Sequence, residues 1–460
     1  MPLAALRELL AAARVEAMEM PEITGTDPVL PTRYRVGAVG AASLAALGIA
    51  VSQLGELRGL HRQRVAVGLR AAAVSLRSAR YLRIDGRPPP PVWDPLSGFY
   101  PVRDGWISIH CNFANHRAAA LKVLQVDENR EKAEEKSASW KGEALEDAIH
   151  AAGGCAGFVR SEEDWARHAQ AKAVAVQPLF EIERIGEAPA ERPSMGKRPL
   201  DGLRVLDLTR VLAGPTCARS LAEHGADVLK ISAEHLPDSG MMDLDTGMGK
   251  LSARLDLRSS EDVSKLKSLV KDCDVFSQSY RPGALAARGF SPEALAGLRP
   301  GIVCVSLSAW GAGGPWRARR GFDSIVQAVS GMAHASAEGG KPKYLPVSAI
   351  DYVSGYLMAF GAAVALARRA REGGSWLVRV ALARVGKWIA DRGVLPENAF
   401  RKIPQDLPED ELRALLAEMD APAGRIRYLR PVVQLSGTPP YWSRPPVALG
   451  THPAAWPDRG

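Results

Sequence analysis

No cysteine in this chain stands in a C-x-x-C pair. The five present, Cys111, Cys155, Cys217, Cys273 and Cys304, are odd in number and widely scattered, so neither a disulfide framework nor a structural zinc site is indicated, and buried, reduced thiols are expected. No apolar run approaches the roughly 18 residues that span a bilayer. The nearest, 38–51 and 357–367, are short and rich in Ala and Gly and read as buried helices. The opening stretch MPLAALRELLAAARVEAMEM lacks the basic-then-apolar order of a secretory signal, so a cytoplasmic protein without a membrane partner is expected. Dense basic runs and zinc-finger or RNA-recognition signatures are absent too. The formal charge of +8, from 59 Lys and Arg against 51 Asp and Glu, suits a phosphate-bearing small molecule at least as well as nucleic acid, and no nucleic-acid partner is expected. Solvated surface arginines account for the charge equally well. The first βα turn has no G-x-G-x-x-G, and Trp310-Gly311-Ala312-Gly313-Gly314-Pro315 lacks that spacing, which speaks against a dinucleotide-dependent oxidoreductase.

What is present is a 460-residue chain, 46% hydrophobic and 24% charged, long enough for two or three domains. Two segments resemble one another: a single offset of 313 residues (48 to 361) aligns Gly48 with Gly361, Leu44 with Leu357, Val51 with Val364 and Arg58 with Arg371. The same offset aligns Val65, Val67 and Leu69 with Val378, Val380 and Leu382. Each copy reads as an Ala/Gly helix, a basic turn and an alternating strand. Only the second has a carboxylate upstream, because Asp351 aligns with Ala38. Between the copies, a proline run PPPPVWDP opens a region with a strand near 106–109 and helices over 144–152 and 163–173, while 127–141 is too charged for core. The Pro- and charge-rich stretch EAPAERPSMGKRP at 187–199 marks a boundary. From Leu203 onward strands (203–208, 227–231, 274–276, 302–307) alternate with helices such as 216–224, which predicts an α/β fold with a parallel sheet and ligands beyond the strands' carboxyl ends.

Two features admit chemistry. Ala213-Gly214-Pro215 places backbone amides at a helix start, where an anion can be cradled, although a surface loop explains it equally. Asp351, in PVSAIDYVSGY, stands at the start of a helical pattern. There it serves as a cap worth about 1 kcal/mol, or as a nucleophile kept ionised by the same first-turn amides. Local sequence does not separate the two.

Four blocks resemble, in order, those of the class III CoA-transferase family. They are PLDGLRVLDLTRVLAGPTCARSLAEHGADVLKI (199–231), SYRPGALAARGFSPEALAGLRPGIVCVSLSAWG (279–311), RGFDSIVQAVSG (320–331) and PVSAIDYVSGY (346–356). The resemblance implies a Rossmann-like parallel sheet with flanking helices, a smaller mixed α/β domain, and homodimers of interlocked chains. It implies a CoA-transferase moving CoA from an acyl-CoA to a carboxylic acid through an aspartyl-acyl mixed anhydride, with no metal. By position Asp351 is the nucleophile. The family's CoA contacts fall on Leu212 and Ala213 beside the thioester, Leu255 and Arg258 near the adenosine, Ser279, Tyr280 and Arg281 at the next strand end, and Arg320 and Phe322 before a helix. Arg258, Arg281 and Arg320 suit phosphates, and Tyr280 and Phe322 offer flat surfaces.

The chain order departs from the family's. Residues 1–86 resemble a truncated first copy of the helix–strand unit, 87–186 the small domain, 187–199 a linker, 200–393 the large domain with the nucleophile, and 394–460 a closing segment, as in a fused or permuted arrangement. PPPPVWDPLSG stands near the place of the glycine-rich loop that closes over the intermediate in some members, and Ser232 and Ala233 replace a frequent acid and a frequent basic contact. Two alternatives follow: a non-catalytic CoA-binding protein in which Asp351 only caps its helix, and an α-methylacyl-CoA racemase-like isomerase. The latter is disfavoured, since that group has a histidine where this chain has Phe322 and proton transfer needs an acid and a base; His334, nearby in sequence, reads as structural.

Overall fold

The computed structural model describes residues 1–91 and 93–458; Val92, inside the proline run, and residues 459–460, the end of the closing segment, lie outside them. A seven-stranded sheet forms the centre. Its strands run in the order Lys250–Arg254, Asp227–Ser232, Arg204–Leu208, Val275–Gln278, Val303–Ser308 and Ser375–Ala381, all parallel, with Phe180–Gly186 antiparallel at the far edge. Every residue of Arg204–Leu208 is buried, as a strand covered on both faces by helices must be. The order reverses between Arg204–Leu208 and Val275–Gln278: the two strands that follow the first lie on one side of it, and the later ones on the other. At such a switch point the connections diverge and leave a crevice at the carboxyl ends of the strands.

Two long helices, Val36–Glu56 and Ala349–Glu372, pack against each other beside this sheet. Both are long and apolar enough by composition to cross a bilayer, and both are buried within the chain. They belong to the two segments related by the 313-residue offset, and the correspondence extends to their packing. Each is followed by a strand and a short helix: Val65–Gly68 with Leu69–Ser75, and Ser375–Ala381 with Leu382–Ala390. A Cβ on Gly48 would stand 2.7 Å from a methyl of Val65, and one on Gly361 would stand 2.5 Å from the equivalent methyl of Val378. Val65–Gly68 has Glu22–Thr24 parallel on one side and Gln434–Leu435 antiparallel on the other, which repeats the neighbours of Ser375–Ala381 on a smaller scale.

Residues 98–158 form a separate small unit. Strands Gly98–Val102, Gly105–Ile109 and Ala156–Phe158 make an antiparallel sheet covered by helices Ala114–Leu124, Arg130–Ser137 and Gly142–Ala151. Tyr100, Ile107, Leu124, Leu145 and Ile149 fill its core. Charged as it is, the segment 127–141 still forms a helix, with Ala133 and Ser137 on its buried side. The helical stretch expected over 163–173 is two helices, Glu162–Arg167 and Ala169–Ala175. The break falls at His168, whose ring accepts the amide of Gln170 at 3.1 Å and caps the second. Gln170 in turn bonds the carbonyls of Trp310 and Gly313 and the amide of Trp316, so the glycine-bearing loop 310–316 is tied down. The small unit docks on the helix Asp323–Val329: Gly157 lies so close that a Cβ there would meet Val329 at 2.9 Å, and the amide of Arg160 bonds the carbonyl of Ala328.

Candidate active site

The crevice at the switch point is occupied by two adjoining cavities. The first, of about 550 Å³, is lined by Leu212, Ala213, Ser279, Tyr280, Arg281, Arg320, Phe322 and Asp351 together with Phe113, His116, Arg210 and Arg317. The second, of about 490 Å³, is lined by Leu255 and Arg258 and shares His235, Leu236, Tyr280 and Ala284 with the first. All ten residues singled out from the sequence therefore fall on one continuous crevice. A larger cavity of about 1440 Å³ lies at the far ends of the two long helices, between residues 49–57 and 364–372. Its five arginines face five glutamates, so it lacks the one-signed charge of the crevice.

Asp351 reaches the cavity because two helices approach unusually closely. One turn beyond it, Gly355 meets the start of the helix Ala213–Ala222; a Cβ there would stand 2.5 Å from the carbonyl oxygen of Ala213 and 2.7 Å from Thr216. That contact brings Leu212 and Ala213 alongside the first turn of Ala349–Glu372. The loop before them is clamped by buried charge. Asp207 accepts from the amide and hydroxyl of Thr209 and from Lys250 Nζ at 2.7 Å, while Lys250 also bonds the carbonyl of Pro215 at 2.8 Å and Lys230 the carbonyl of Thr209. Between these anchors Val211 is held at φ 69°, a left-handed conformation that a β-branched residue adopts only where its surroundings impose it, at about 1–3 kcal/mol.

Asp351 is not the cap of its helix, and its ionisation is the reverse of the capped expectation. The cap comes from a different helix: the carboxylate of Asp323 accepts the amide of Asp351 at 3.0 Å, and that of Ile350 also bonds it. Asp323 is further bonded by the side chain of Gln327. Asp351 itself is buried and its carboxyl makes no hydrogen bond among the described residues. Burial first, and the neighbouring Asp323 second, push its pKa well above the ordinary carboxylate range. Two carboxyl groups in one dry site do not ionise together readily. Asp323, which holds the amide bonds, takes the first charge, and Asp351 keeps its proton longer.

The remaining wall is cationic. Arg281, Arg317 and Arg320 line the cavity, and among the described residues their guanidinium groups have no hydrogen-bond or ion-pair partner. Burial and then the charge of Arg281 lower the pKa of Arg320. Arg210 bonds the carbonyl of Pro237 at 2.8 Å and lies over the ring of Phe113, and its amide donates to the Ser279 hydroxyl. Arg319 is paired with Asp147 of the small unit at 2.5 Å. Arg258 is the one predicted arginine already satisfied: exposed, it grips both oxygens of Asp256. Phe322 stacks flat on His110, with ring centroids 4.0 Å apart.

Sequence reasoning missed the contributions of Asp323, Phe113, His110 and His116. The last three belong to HCNFANHR, 110–117, where two histidines and an aromatic follow a strand. That clustering was the available signal. Asp323 stood in plain sight in RGFDSIVQAVSG, but nothing local connects it to a helix that begins 26 residues later.

The crevice thus holds a buried carboxyl and three guanidiniums, none with a hydrogen-bond partner among the described residues, an arrangement suited to an anionic ligand. Comparisons with known proteins point the same way. Residues 200–407 match the family model described as CoA-transferase family III. The chain is 36% identical over 204 residues to "Acetyl-coenzyme A transferase nodX" of Hypoxylon pulicicidum, covering 43% of this chain and 34% of that protein. It is 28% identical over 397 residues to "Acyl-CoA transferase" of Gibberella moniliformis, covering 76% and 69%. Against "Probable fatty acyl-CoA transferase Rv3272" of Mycobacterium tuberculosis it is 32% identical, covering 40% and 50%. A crystal structure of the Rv3272 protein superposes with a TM-score of 0.40 at 31% identity, covering 43% of this chain and 59% of that one. The chain thus spans about a third to two thirds of the length of these curated relatives.

Proposed function

We propose that the protein is a CoA-transferase that moves CoA from an acyl-CoA to a carboxylic acid through a mixed anhydride on Asp351. One observation carries the reading: a buried carboxyl without a hydrogen-bond partner among the described residues shares its cavity with three arginines that likewise lack one. A structural aspartate in that setting would pair with one of them. A nucleophile has to stay free, and guanidiniums at hand but unpaired suit the phosphates of an incoming CoA. In this reading the diphosphate lies along Arg281, Arg317 and Arg320, the adenosine reaches the adjoining cavity of Leu255 and Arg258, and the thioester lies against Leu212 and Ala213. Asp351, once deprotonated, attacks the thioester carbonyl carbon; the C–S bond breaks and CoA leaves as thiolate. The acceptor carboxylate then attacks the donor acyl carbon of the anhydride and frees the Asp351 carboxylate. The thiolate attacks the acceptor carbonyl carbon of the new anhydride, its C–O bond breaks, and the donor acid leaves as carboxylate while the acceptor carries CoA. The chain layout is read as a fused arrangement in which 87–186 supplies the small domain to the large domain at 200–393, and a cytoplasmic homodimer is the assembly we expect.

Incubation with a panel of acyl-CoAs and hydroxylamine, followed by peptide mapping, tests the reading. Wild-type protein is expected to carry a hydroxamate at Asp351, and Asp351→Asn none, with CoA binding retained. CoA binding without any adduct for any thioester would leave a non-catalytic CoA-binding protein.

A further inference from the structure

His116 enters the same cavity from the small unit. It lies in the first turn of Ala114–Leu124, ringed by His110, Phe113 and Phe322 at centroid distances of 5.9, 5.4 and 5.8 Å, edge-on to each. Phe322 immediately precedes Asp323, whose carboxylate bonds the amide of Asp351, so the imidazole is joined to the nucleophile's helix through two consecutive residues. The side chain is buried, and its Nδ1 is enclosed without a hydrogen-bond partner. Nε2 is not enclosed in that way, and the residue lines the cavity, so we take Nε2 as the nitrogen on the cavity side. Burial, then the charges of Arg320 and Arg210, bring the pKa of His116 down to about 4, so the ring is neutral near pH 7 and carries one proton. On Nδ1 that proton would be a buried donor with no acceptor; on Nε2 it points into the cavity, which is the less costly tautomer.

We propose that His116 is a further catalytic residue, its Nε2–H donating to the carbonyl oxygen of the substrate thioester as Asp351 attacks. The inference rests on the transferase reading above. As the Asp351 oxygen bonds to the carbonyl carbon, the C=O electron pair moves onto oxygen, and that oxyanion accepts the hydrogen bond. The pair then returns, C=O re-forms, and CoA leaves as thiolate; no proton passes to or from His116. A neutral donor suits this chemistry, because an imidazolium would hand its proton to the departing thiolate and oppose its return. Arg320 and Arg210 then have a second use beyond anion binding, which is to keep the imidazole uncharged.

The test compares full-length wild type, His116→Phe and His116→Gln in single-turnover trapping of Asp351 by hydroxylamine. Acetyl-CoA, succinyl-CoA and palmitoyl-CoA serve as donors, and the Kd of CoA is measured on the same samples. Loss of one oxyanion donor is expected to slow trapping roughly 100-fold or more in His116→Phe. The Kd of CoA should stay within about twofold, because a transition-state contact is not a ground-state one. His116→Gln, which keeps an N–H at similar reach, is expected to recover most of the rate. Wild-type trapping rates in both variants overturn the assignment, as does a rate loss matched by an equal loss of CoA affinity. Absence of any Asp351 adduct in the wild type overturns the transferase reading itself, and is told apart from a failure of His116 because the wild type is run alongside.

Discussion

Replacing Asp323 by Asn removes one charge from beside the first turn of the Asp351 helix while preserving the side chain's shape, and the consequences divide by pH. Asp323 is buried, and desolvation pushes its pKa from 3.8 to about 6 in spite of the bonds it accepts from the amides of Asp351 and Ile350 and from Gln327. Below about pH 4 folded and unfolded chains both hold the proton. As pH rises toward 6 the unfolded chain ionises first, so the folded state binds more protons and loses stability over this window, by about 3 kcal/mol for a displacement of this size. Asn does not titrate. The stability of Asp323→Asn relative to wild type should therefore improve by about 3 kcal/mol between pH 4 and pH 7. This comes on top of a pH-independent loss of about 1–3 kcal/mol where the amide presents a donor to a donor. Urea unfolding of both proteins at the two pH values reads the change directly, and the constant loss cancels in the comparison. The same substitution takes the like charge away from Asp351, so its pKa falls and the pH profile of Asp351 trapping should move toward lower pH. A stability gap that does not change with pH, together with an unmoved trapping profile, would refute the coupling of these two carboxyls.

Two further substitutions probe the supports of the site. Gly355→Ala would normally gain helix propensity of about 1 kcal/mol, but here its Cβ would press on the carbonyl of Ala213. It should lower stability by about 1–3 kcal/mol and slow transfer by displacing Leu212 and Ala213 from Asp351; a raised Tm with full activity would contradict the close packing. Lys250→Met leaves Asp207 buried without its nearest cation and should cost about 3–5 kcal/mol in denaturant unfolding, with most of the loss recovered when Asp207→Asn is added. No recovery in the double variant would mean that Lys250 acts through packing and not through charge.

Much of the fold was legible because its signals are local. Apolar runs such as 203–208 and 302–307 become strands at Arg204–Leu208 and Val303–Ser308, since a strand buried on both faces reads as a near-continuous apolar run. The 313-residue offset led to the expectation of a helix, a turn and a strand in each segment, and each has them; that Gly48 meets Val65 as Gly361 meets Val378 is visible only in the structure. The candidate nucleophile and the candidate CoA contacts came from the resemblance of four blocks to family motifs and not from spacing or periodicity. What misled was treating Asp351 within its own segment. An aspartate in the first turn of a helix ordinarily serves the amides there, but a second aspartate from 28 positions upstream in the chain had already taken them.

By itself the sequence determined the layered α/β architecture, the long buried helices and the residue types along the crevice, because periodicity, turn chemistry and apolar runs act over a few residues at a time. Tertiary structure alone decided the state of the site. Only packing sets Asp323 against Asp351, leaves Arg281, Arg317 and Arg320 facing the same cavity unpaired, and brings His116 in from the small unit. Desolvation and charge coupling depend on which distant groups share a volume, and that is fixed only once the chain has closed around it.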